Sequence, residues 1–484
     1  MPLRRNKVLG TRLLWLVGGR LGMLVFALLS TGLMTRDLGL HGFGDYRAAI
    51  GYLGMIVLLA DLGLASIFVR EISVPHADRD RVIGNAISVR LALACSAVAA
   101  AVALLFVLPF TPEARIAAVW AAPGFLAYSL HLMLFGLFQQ QMKQSEVVRA
   151  EIVGAIVLLG AIVAIRDRQA PAAAFAAALS LSYLVTLAIA LFFARRHASL
   201  VPRFDRPEWS RLMRAALPLA LGTTMTIATF QSPTVLIAVL GAPEDVGNYG
   251  VPLKIFDSLM GIALLAIGLA APLLASAAAS DGERFAGTLR QGLSVLLIGG
   301  TALALVLVAS AEIVVTVVGG AEFSGSATTL RLFALLFVVH SCALFLREAA
   351  TAMRLQDHIA RCIAPSMLLA FAGFAVLIPR FEGNGAVLAL IASEALLIVN
   401  FLRLLLAHAV APTPLASVGR LAAAGLIAGG VVAACQANGI EWWMTTLISL
   451  PVYALFMLAF GSFAIRDVKN LALELRAHRA RPAA

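Results

Sequence analysis

The sequence has 484 residues, of which 61% are hydrophobic and 13% charged, and its formal net charge is +11. This composition excludes an ordinary soluble domain, in which about 25% of the residues are charged. The four cysteines lie in or near separate apolar stretches without C-x-x-C spacing, so we expect small core residues and neither a disulfide framework nor a metal site. The positive charge is typical of loops beside an anionic membrane leaflet and requires no nucleic-acid partner.

Fourteen apolar stretches follow one another along the chain. A helix needs ~20 mostly apolar residues to cross ~30 Å of hydrocarbon, because backbone amides in lipid must bond within their own segment. In chain order, the predicted spans are 13–35, 47–69, 86–109, 116–138, 147–165, 172–193, 215–240, 248–275, 289–309, 328–350, 359–378, 384–407, 417–436 and 442–465. The predicted fold class is therefore an all-α polytopic membrane protein with about 14 transmembrane helices.

The Lys and Arg residues fall in alternate gaps between the spans. If the N-terminus is cytoplasmic, 28 of the 37 Lys and Arg residues belong to the cytoplasmic side, 7 belong to the opposite side, and Arg20 and Lys254 lie within spans. Loops rich in Lys and Arg stay on the cytoplasmic side of a membrane. We therefore expect both termini to be cytoplasmic.

The gap at residues 194–214 is the longest and holds six arginines, which indicates a linker between two lobes. The predicted domains are an N-lobe with spans 1–6 (1–193), a basic cytoplasmic linker (194–214), a C-lobe with spans 7–12 (215–407), and spans 13 and 14 with a basic cytoplasmic tail (408–484).

A short internal echo supports a duplication. The segment LGLHGFGDY at 38–46 resembles LGAPEDVGNY at 240–249, with an offset of 203 at the shared Gly and Tyr. Echoes at a fixed offset are typical of internal repeats in membrane transporters. The sequence therefore predicts two pseudosymmetric six-helix lobes plus two C-terminal helices.

Three motifs carry a family resemblance. They are R-D-L-G-L-H-G-F-G-D-Y after span 1, A-D-L-G-L late in span 2, and V-G-N-Y-G-V-P-L-K-I entering span 8. They resemble the polysaccharide-transporter branch of the multidrug/oligosaccharidyl-lipid/polysaccharide exporter superfamily. The resemblance implies a flippase, not an enzyme, that moves polyprenyl-diphosphate-linked oligosaccharides across the bacterial inner membrane by alternating access. It also implies a role in O-antigen, exopolysaccharide or capsule synthesis, membrane lipids and polymerase or ligase machinery as partners, and no cofactor.

A diphosphate headgroup has to meet cations at membrane depth. Arg20 lies ~12 Å from the cytoplasmic end of span 1 at 1.5 Å per residue. Facing lipid, its guanidinium would cost at least ~2.5–3.5 kcal/mol, so a cavity-lining role and snorkelling are the alternatives. Lys254 has Asp257 at i+3, so it either binds phosphate or forms an intrahelical ion pair.

The resemblance extends to the headgroup site. The peptidoglycan-precursor flippases of the superfamily carry cavity arginines on spans 1, 2 and 8, and the matching positions here are Arg20, Arg47 and Lys254. Lys254 departs from that pattern because an ammonium lacks the planar fork of a guanidinium. Arg47 stands at the mouth of span 2, where a solvated end residue is the alternative.

Three acids lie within spans, namely Asp61, Asp257 and Glu394. A carboxyl group at that depth is neutralised, paired, or exposed to a water-filled cavity where it could bind H⁺ or Na⁺. These acids are therefore candidates for ion coupling. We interpret His131 and His340 as helix-to-helix hydrogen-bonding residues.

Two other functions stay open. An H⁺- or Na⁺-coupled multidrug antiporter of the same superfamily typically has twelve spans, so spans 13 and 14 count against it. A membrane-embedded polysaccharide polymerase or ligase needs large external loops, whereas the gaps between these spans are short.

Overall fold

The computed structural model describes residues 2–73, 78–141, 143–166, 168–280, 282–408 and 415–459, with side chains except at 2–17, 19–21, 144, 218, 219, 415–418 and 422. The helices in chain order are α1 (Pro2–Leu59), α2 (Leu64–Ile72), α3 (Arg79–Leu104), α4 (Pro112–Gln140), α5 (Gln144–Ile165), α6 (Ala172–Ala194), α7 (Arg206–Leu240), α8 (Pro243–Ala278), α9 (Gly282–Gly319), α10 (Ala327–Ala352), α11 (Gln356–Ala407), α12 (Leu415–Ala437) and α13 (Trp442–Ala459). A short 3₁₀ helix, Ala321–Ser326, precedes α10.

The predicted membrane fold is confirmed. Twelve helices within the described ranges are long and apolar enough to cross a bilayer. Two of them, in α1 and α11, contain one non-helical residue each, Gly39 and Glu382, and so hold two spans apiece. These helices account for the fourteen predicted spans.

The turn between spans 1 and 2 is a single residue. Gly39 has φ 64° and ψ −175°, a region that is open to glycine alone. One helix therefore follows the other without a loop, where the hydropathy pattern predicts an eleven-residue gap at 36–46. Hydropathy also underestimates helix length: span 9, predicted at 289–309, is part of Gly282–Gly319, because polar helix ends continue beyond the hydrocarbon.

Helix starts follow local sequence signals. Asp78 caps α3, since its carboxylate accepts a hydrogen bond from Arg81 N at 3.2 Å. Thr111 caps α4 by accepting from Ala114 N at 3.1 Å, and Pro112 follows at the first helical position.

The chain forms two compact units. The first unit comprises residues 1–251 and 318–323, and the second comprises 252–317 and 324–484. In the first unit α4 packs against α6, α1 and α3, and α7 packs against α1, α2 and α3. In the second unit α10 packs against α11, and α12 packs against α13. The lobe boundary at 194–214 stays a prediction.

Three of the four cysteines are core residues, as expected. Cys342, Cys362 and Cys435 are buried in the second unit, and all of the cysteines are free thiols. Cys95 on α3 differs because it is exposed.

Candidate functional site

We call the end of each helix that is predicted to be cytoplasmic its basic end, and the other its acidic end. Near the basic end of the first unit, the helix that forms span 2 is broken between α1 and α2. Leu62 and Gly63 have φ angles of 49° and 72°, so the D-L-G segment makes a left-handed turn instead of continuing the helix. The break places the carboxylate of Asp61 beside α3.

Arg90 of α3 holds this break in place. Its Nη1 donates to Asp61 Oδ1, and its Nε donates to Ser129 O of α4 at 3.2 Å. Arg90 is only 1% exposed, while its Nη2 has no hydrogen-bond partner within the described residues. A buried guanidinium is tolerated only when it is paired. Through these two hydrogen bonds Arg90 connects α3 to the break between α1 and α2 and to α4.

Arg90 is the residue that the sequence analysis misplaced. We counted it among the cytoplasmic cations, although it lies within the predicted span 86–109. At 1.5 Å per residue it is ~17 Å from the start of α3, too deep for a loop cation. A charged residue inside a predicted span was the signal that could have identified it.

The first unit contains a second polar pair within its spans. His131 Nε2 of α4 donates to Glu151 Oε1 of α5 at 3.4 Å, which agrees with the predicted helix-to-helix bond. Glu151 keeps 19% of its side chain exposed, and Asp61 keeps 17%. Both side chains are therefore mostly, but not completely, buried in the bundle.

Aromatic rings continue this polar region along α4 and α6. Tyr128 and Tyr183 stack with ring centroids 4.9 Å apart and planes inclined by 26°, and Phe125 meets Tyr183 edge-on at 5.8 Å. Both tyrosines keep partly accessible side chains. Arg47 lies near enough to Tyr183 to interact with it electrostatically.

Arg47 itself is half-buried at the start of span 2. It packs over Gly250, where a Cβ would lie 3.0 Å from Arg47 Cγ. Its Nε is buried and has no hydrogen-bond partner within the described part of the chain. The guanidinium therefore retains hydrogen-bonding capacity for a ligand.

At the acidic end, the two echoed segments pack on each other. A Cβ at Gly44 would lie 1.8 Å from Pro243 O, and one at Gly247 would lie 2.6 Å from Leu40 O. At the offset of 203, Leu40 corresponds to Pro243 and Gly44 to Gly247, so each contact is the counterpart of the other. The two segments are therefore related by a local two-fold axis. The duplication of a whole lobe stays a prediction.

His41 and Glu244 meet on this axis, since they too are 203 residues apart. His41 Nδ1 donates to Glu244 Oε1 at 2.7 Å, and His41 Nε2 lies 3.6 Å from Asp45 Oδ2. Both residues of the pair lie outside the predicted spans. The hydrogen bond to Glu244 raises the pKa of His41, with a smaller contribution from the charge of Asp45. The same bond lowers the pKa of Glu244.

The second unit contains its own buried polar pair. His340 Nδ1 of α10 donates to Glu394 Oε2 of α11 at 3.0 Å, and Glu394 is 3% exposed. The ring of Phe256 on α8 lies 6.3 Å from the His340 ring. Glu394 is thus in the paired state, one of the three states expected for acids within spans.

Lys254 and Asp257 lie in the first half of α8. Lys254 is half-buried and Asp257 is exposed, on the side of the helix away from the buried Phe256. At 1.5 Å per residue, Lys254 is ~17 Å from the start of α8. Arg20 lies in α1, but its side chain is outside the described residues.

The sequence-predicted residues therefore divide between the units. Arg47 and Asp61 belong to the first unit, and Lys254, Asp257 and Glu394 belong to the second. Each buried acid is paired with a residue that the sequence analysis had not matched to it. No group of three or more His, Cys, Asp or Glu side chains in the described ranges could hold a metal ion.

The family is decided by the sequence of residues 10–278, which matches the family described as polysaccharide biosynthesis protein over more than half of the chain. The chain belongs to this polysaccharide biosynthesis protein family. Its resemblance to the exporter superfamily, predicted from the three motifs, is confirmed. No functionally curated protein matches the sequence significantly.

Solved structures with the same fold include transporters of that superfamily. The structure of this family member is similar to the lipid II flippase MurJ in an inward closed conformation, with a TM-score of 0.74, 12% identity, and coverage of 94% of this chain and 99% of that one. It is also similar to an inward-facing multidrug resistance MATE family transporter of the MOP superfamily (TM-score 0.61, 14% identity, 78% and 93% coverage). A third match is a mutant of the Vibrio cholerae MATE transporter VcmN (0.53, 13%, 84% and 98%).

Proposed function

We propose that the protein is an inner-membrane flippase that moves polyprenyl-diphosphate-linked oligosaccharide repeat units outward by alternating access, for the synthesis of a cell-surface polysaccharide. The observation that carries the proposal is the family match over residues 10–278, on a chain with fourteen spans and the fold of a lipid-linked flippase. Both termini are cytoplasmic in this proposal, which follows the distribution of Lys and Arg.

Three cations are the candidates for the headgroup chemistry. Arg47 has a buried Nε without a hydrogen-bond partner in the described residues, and Lys254 is half-buried in the first half of α8. Arg20, Arg47 and Lys254 are each proposed to bind the diphosphate, because charge-assisted hydrogen bonds to phosphate oxygens are strong where water is scarce.

The aromatic cluster of Phe125, Tyr128 and Tyr183 suits the sugar. An aromatic face is electron-rich and attracts the weakly positive C–H groups of a sugar ring, while a tyrosine hydroxyl can bond to a sugar hydroxyl. The cluster lies in the same unit as Arg47, so one surface would contact both parts of the headgroup.

Of the three candidate coupling acids, Glu394 has the most suitable partner for a proton. Its hydrogen bond to His340 joins two groups that can share a proton, whereas Asp61 is held by a guanidinium that stays charged. We therefore assign H⁺ coupling to the Glu394 pair. Asp61 is given a structural role at the helix break, and Asp257 stays a candidate.

The test is a deletion strain whose lipids are extracted and assayed for polyprenyl-linked oligosaccharide. An impermeant glycan-modifying reagent applied to intact spheroplasts then reports the leaflet. We expect repeat units trapped on the cytoplasmic face. Repeat units that reach the outer face at wild-type levels, together with lost drug resistance, would favour the ion-coupled antiporter instead.

The site assignment has a matched control. Arg47→Gln and Lys254→Gln, each expressed at wild-type levels in the deletion strain, are expected to leave repeat units inside. Arg331→Gln removes an equal charge from a surface pair with Glu312 and should restore export. Normal export by both of the first two variants would exclude these residues as the headgroup site.

A further inference from the structure

The first unit contains a cavity that the flippase proposal does not use. It has a volume of about 640 Å³, within the range of ~300–1,000 Å³ that ligand sites occupy. Its lining comes from α3, α4, α6 and the segment 198–202 that follows α6. Most of the wall is apolar, with residues that include Ile87, Leu91, Leu130, Leu134 and Leu191, and its polar part includes Ser199 and the charged Arg195.

The shape of the cavity follows the helices inward from their basic ends. Arg195 is the residue directly after α6, and Leu191 is one turn before it. Leu130 lies ten residues before the end of α4 at Gln140, which is ~15 Å at 1.5 Å per residue. An apolar channel about half a bilayer deep thus has an exposed guanidinium at its mouth.

The segment at the mouth is fixed in position. Arg203 N donates to Gly84 O at 3.0 Å, and Ser199 N donates to Asp80 Oδ1 at 3.3 Å. Gly84 permits this approach, since a Cβ there would lie 2.6 Å from Val201 O. The first part of the predicted linker, residues 198–202, therefore forms one wall of the cavity and is held against α3 by these contacts.

We propose that this cavity binds an anionic phospholipid of the leaflet at the basic end, with one acyl chain along α4 and the phosphate at Arg195. The apolar wall matches an acyl chain, and the guanidinium at headgroup level matches a phosphate. The neighbouring Arg196 is excluded from this role because its guanidinium lies over the Phe192 ring, 4.7 Å from the centroid.

The charge at the mouth is tested with purified full-length protein titrated with phosphatidylglycerol or phosphatidylethanolamine and examined by native mass spectrometry. We expect the wild type to prefer phosphatidylglycerol. Arg195→Gln should weaken binding of the first phosphatidylglycerol roughly fivefold, the value for one basic side chain at an anionic surface. Arg196→Gln, with the same change in charge, should bind like the wild type. Equal effects of the two substitutions, or equal affinity of the wild type for both lipids, would overturn the proposal.

The apolar wall is tested separately. Leu130→Trp should fill the channel and abolish tight binding of phosphatidylglycerol, whereas Leu184→Trp, at a 44% exposed position elsewhere on α6, should not. Each variant is first checked for a monodisperse elution profile, and if Leu130→Trp fails that check the Arg195 comparison decides. Preferential binding of a polyprenyl phosphate over phosphatidylglycerol would also overturn the proposal, because the cavity would then serve the substrate.

Discussion

The buried pair between Arg90 and Asp61 allows a prediction with a calculable size. Replacing Arg90 with Met keeps an apolar side chain of similar length but leaves the Asp61 carboxylate without its guanidinium. Removing one partner of a buried ion pair typically costs ~3–5 kcal/mol. We expect the lower end, about 3 kcal/mol, because the Asp61 side chain is 17% exposed and water can partly solvate it.

The assay is thermal unfolding of the purified protein in detergent, followed by intrinsic fluorescence. If 1 kcal/mol corresponds to about 2–4 °C, Arg90→Met should lower the midpoint by roughly 6–12 °C, an upper bound for a chain of this length. The double variant Arg90→Met with Asp61→Leu should recover much of that loss, because no buried charge is left unpaired.

Arg81 on the same helix provides the control. It also pairs with an aspartate, Asp205, but it is 49% exposed. Exposed pairs contribute little, so Arg81→Met should shift the midpoint only slightly. Equal midpoints for Arg81→Met and Arg90→Met would refute the reasoning. It would also be refuted if the double variant lost as much stability as the single variants Arg90→Met and Asp61→Leu together.

Three further predictions concern other contacts. Gly44→Ala would bring a carbon to 1.8 Å from a backbone oxygen of the facing segment, so we expect a large loss of folded protein. Gly160→Ala, with open space around its Cβ, should be neutral or stabilising by up to ~1 kcal/mol. The yields and thermal unfolding midpoints of the two variants test this difference. The bond to Glu244 raises the pKa of His41 above 6.5, so its stabilisation is complete below pH 6.5 and is lost as the pH rises through the folded-state pKa. The midpoint of thermal unfolding should therefore fall as the pH rises from 6.5 through the folded-state pKa in the wild type and much less in His41→Gln, and a wild-type midpoint that rises over this range would contradict the assignment. Glu394→Gln should still bind lipid-linked substrate in proteoliposomes but lose the acceleration by a pH gradient, and an unchanged response to the gradient would rule out coupling at this pair.

The membrane spans could be predicted from the sequence because the hydrocarbon thickness imposes a length and a composition on every crossing helix. The turns between them could not. Gly39 and Glu382 each interrupt a helix at one residue, and a hydropathy average over many residues does not detect a change in one pair of φ and ψ angles.

The candidate site shows a similar division. The depth of Asp61 and Glu394 predicted that each is neutralised, paired or exposed to a water-filled cavity. Which of these states holds, and with which partner, depends on how the helices pack. The charge count grouped Arg90 with the loop cations although it lies four residues inside the predicted span 86–109, and its burial depends on the rotation of α3, which the sequence does not give. The similarity of the two echoed segments was visible in the sequence, but their packing on each other and the pairing of His41 with Glu244 required coordinates.

The axis through His41 and Glu244 also bears on how such a chain could have arisen. In a dimer of two separate identical chains, a residue on the two-fold axis faces its own copy, so His would meet His and Glu would meet Glu, and at many pH values like charges would repel. Once the two halves are joined in one polypeptide, the two positions can mutate independently. An attractive pair of unlike residues on the axis is therefore available to a fused gene and not to a homodimer, and here such a pair, His41 and Glu244, joins the two similar segments at 2.7 Å.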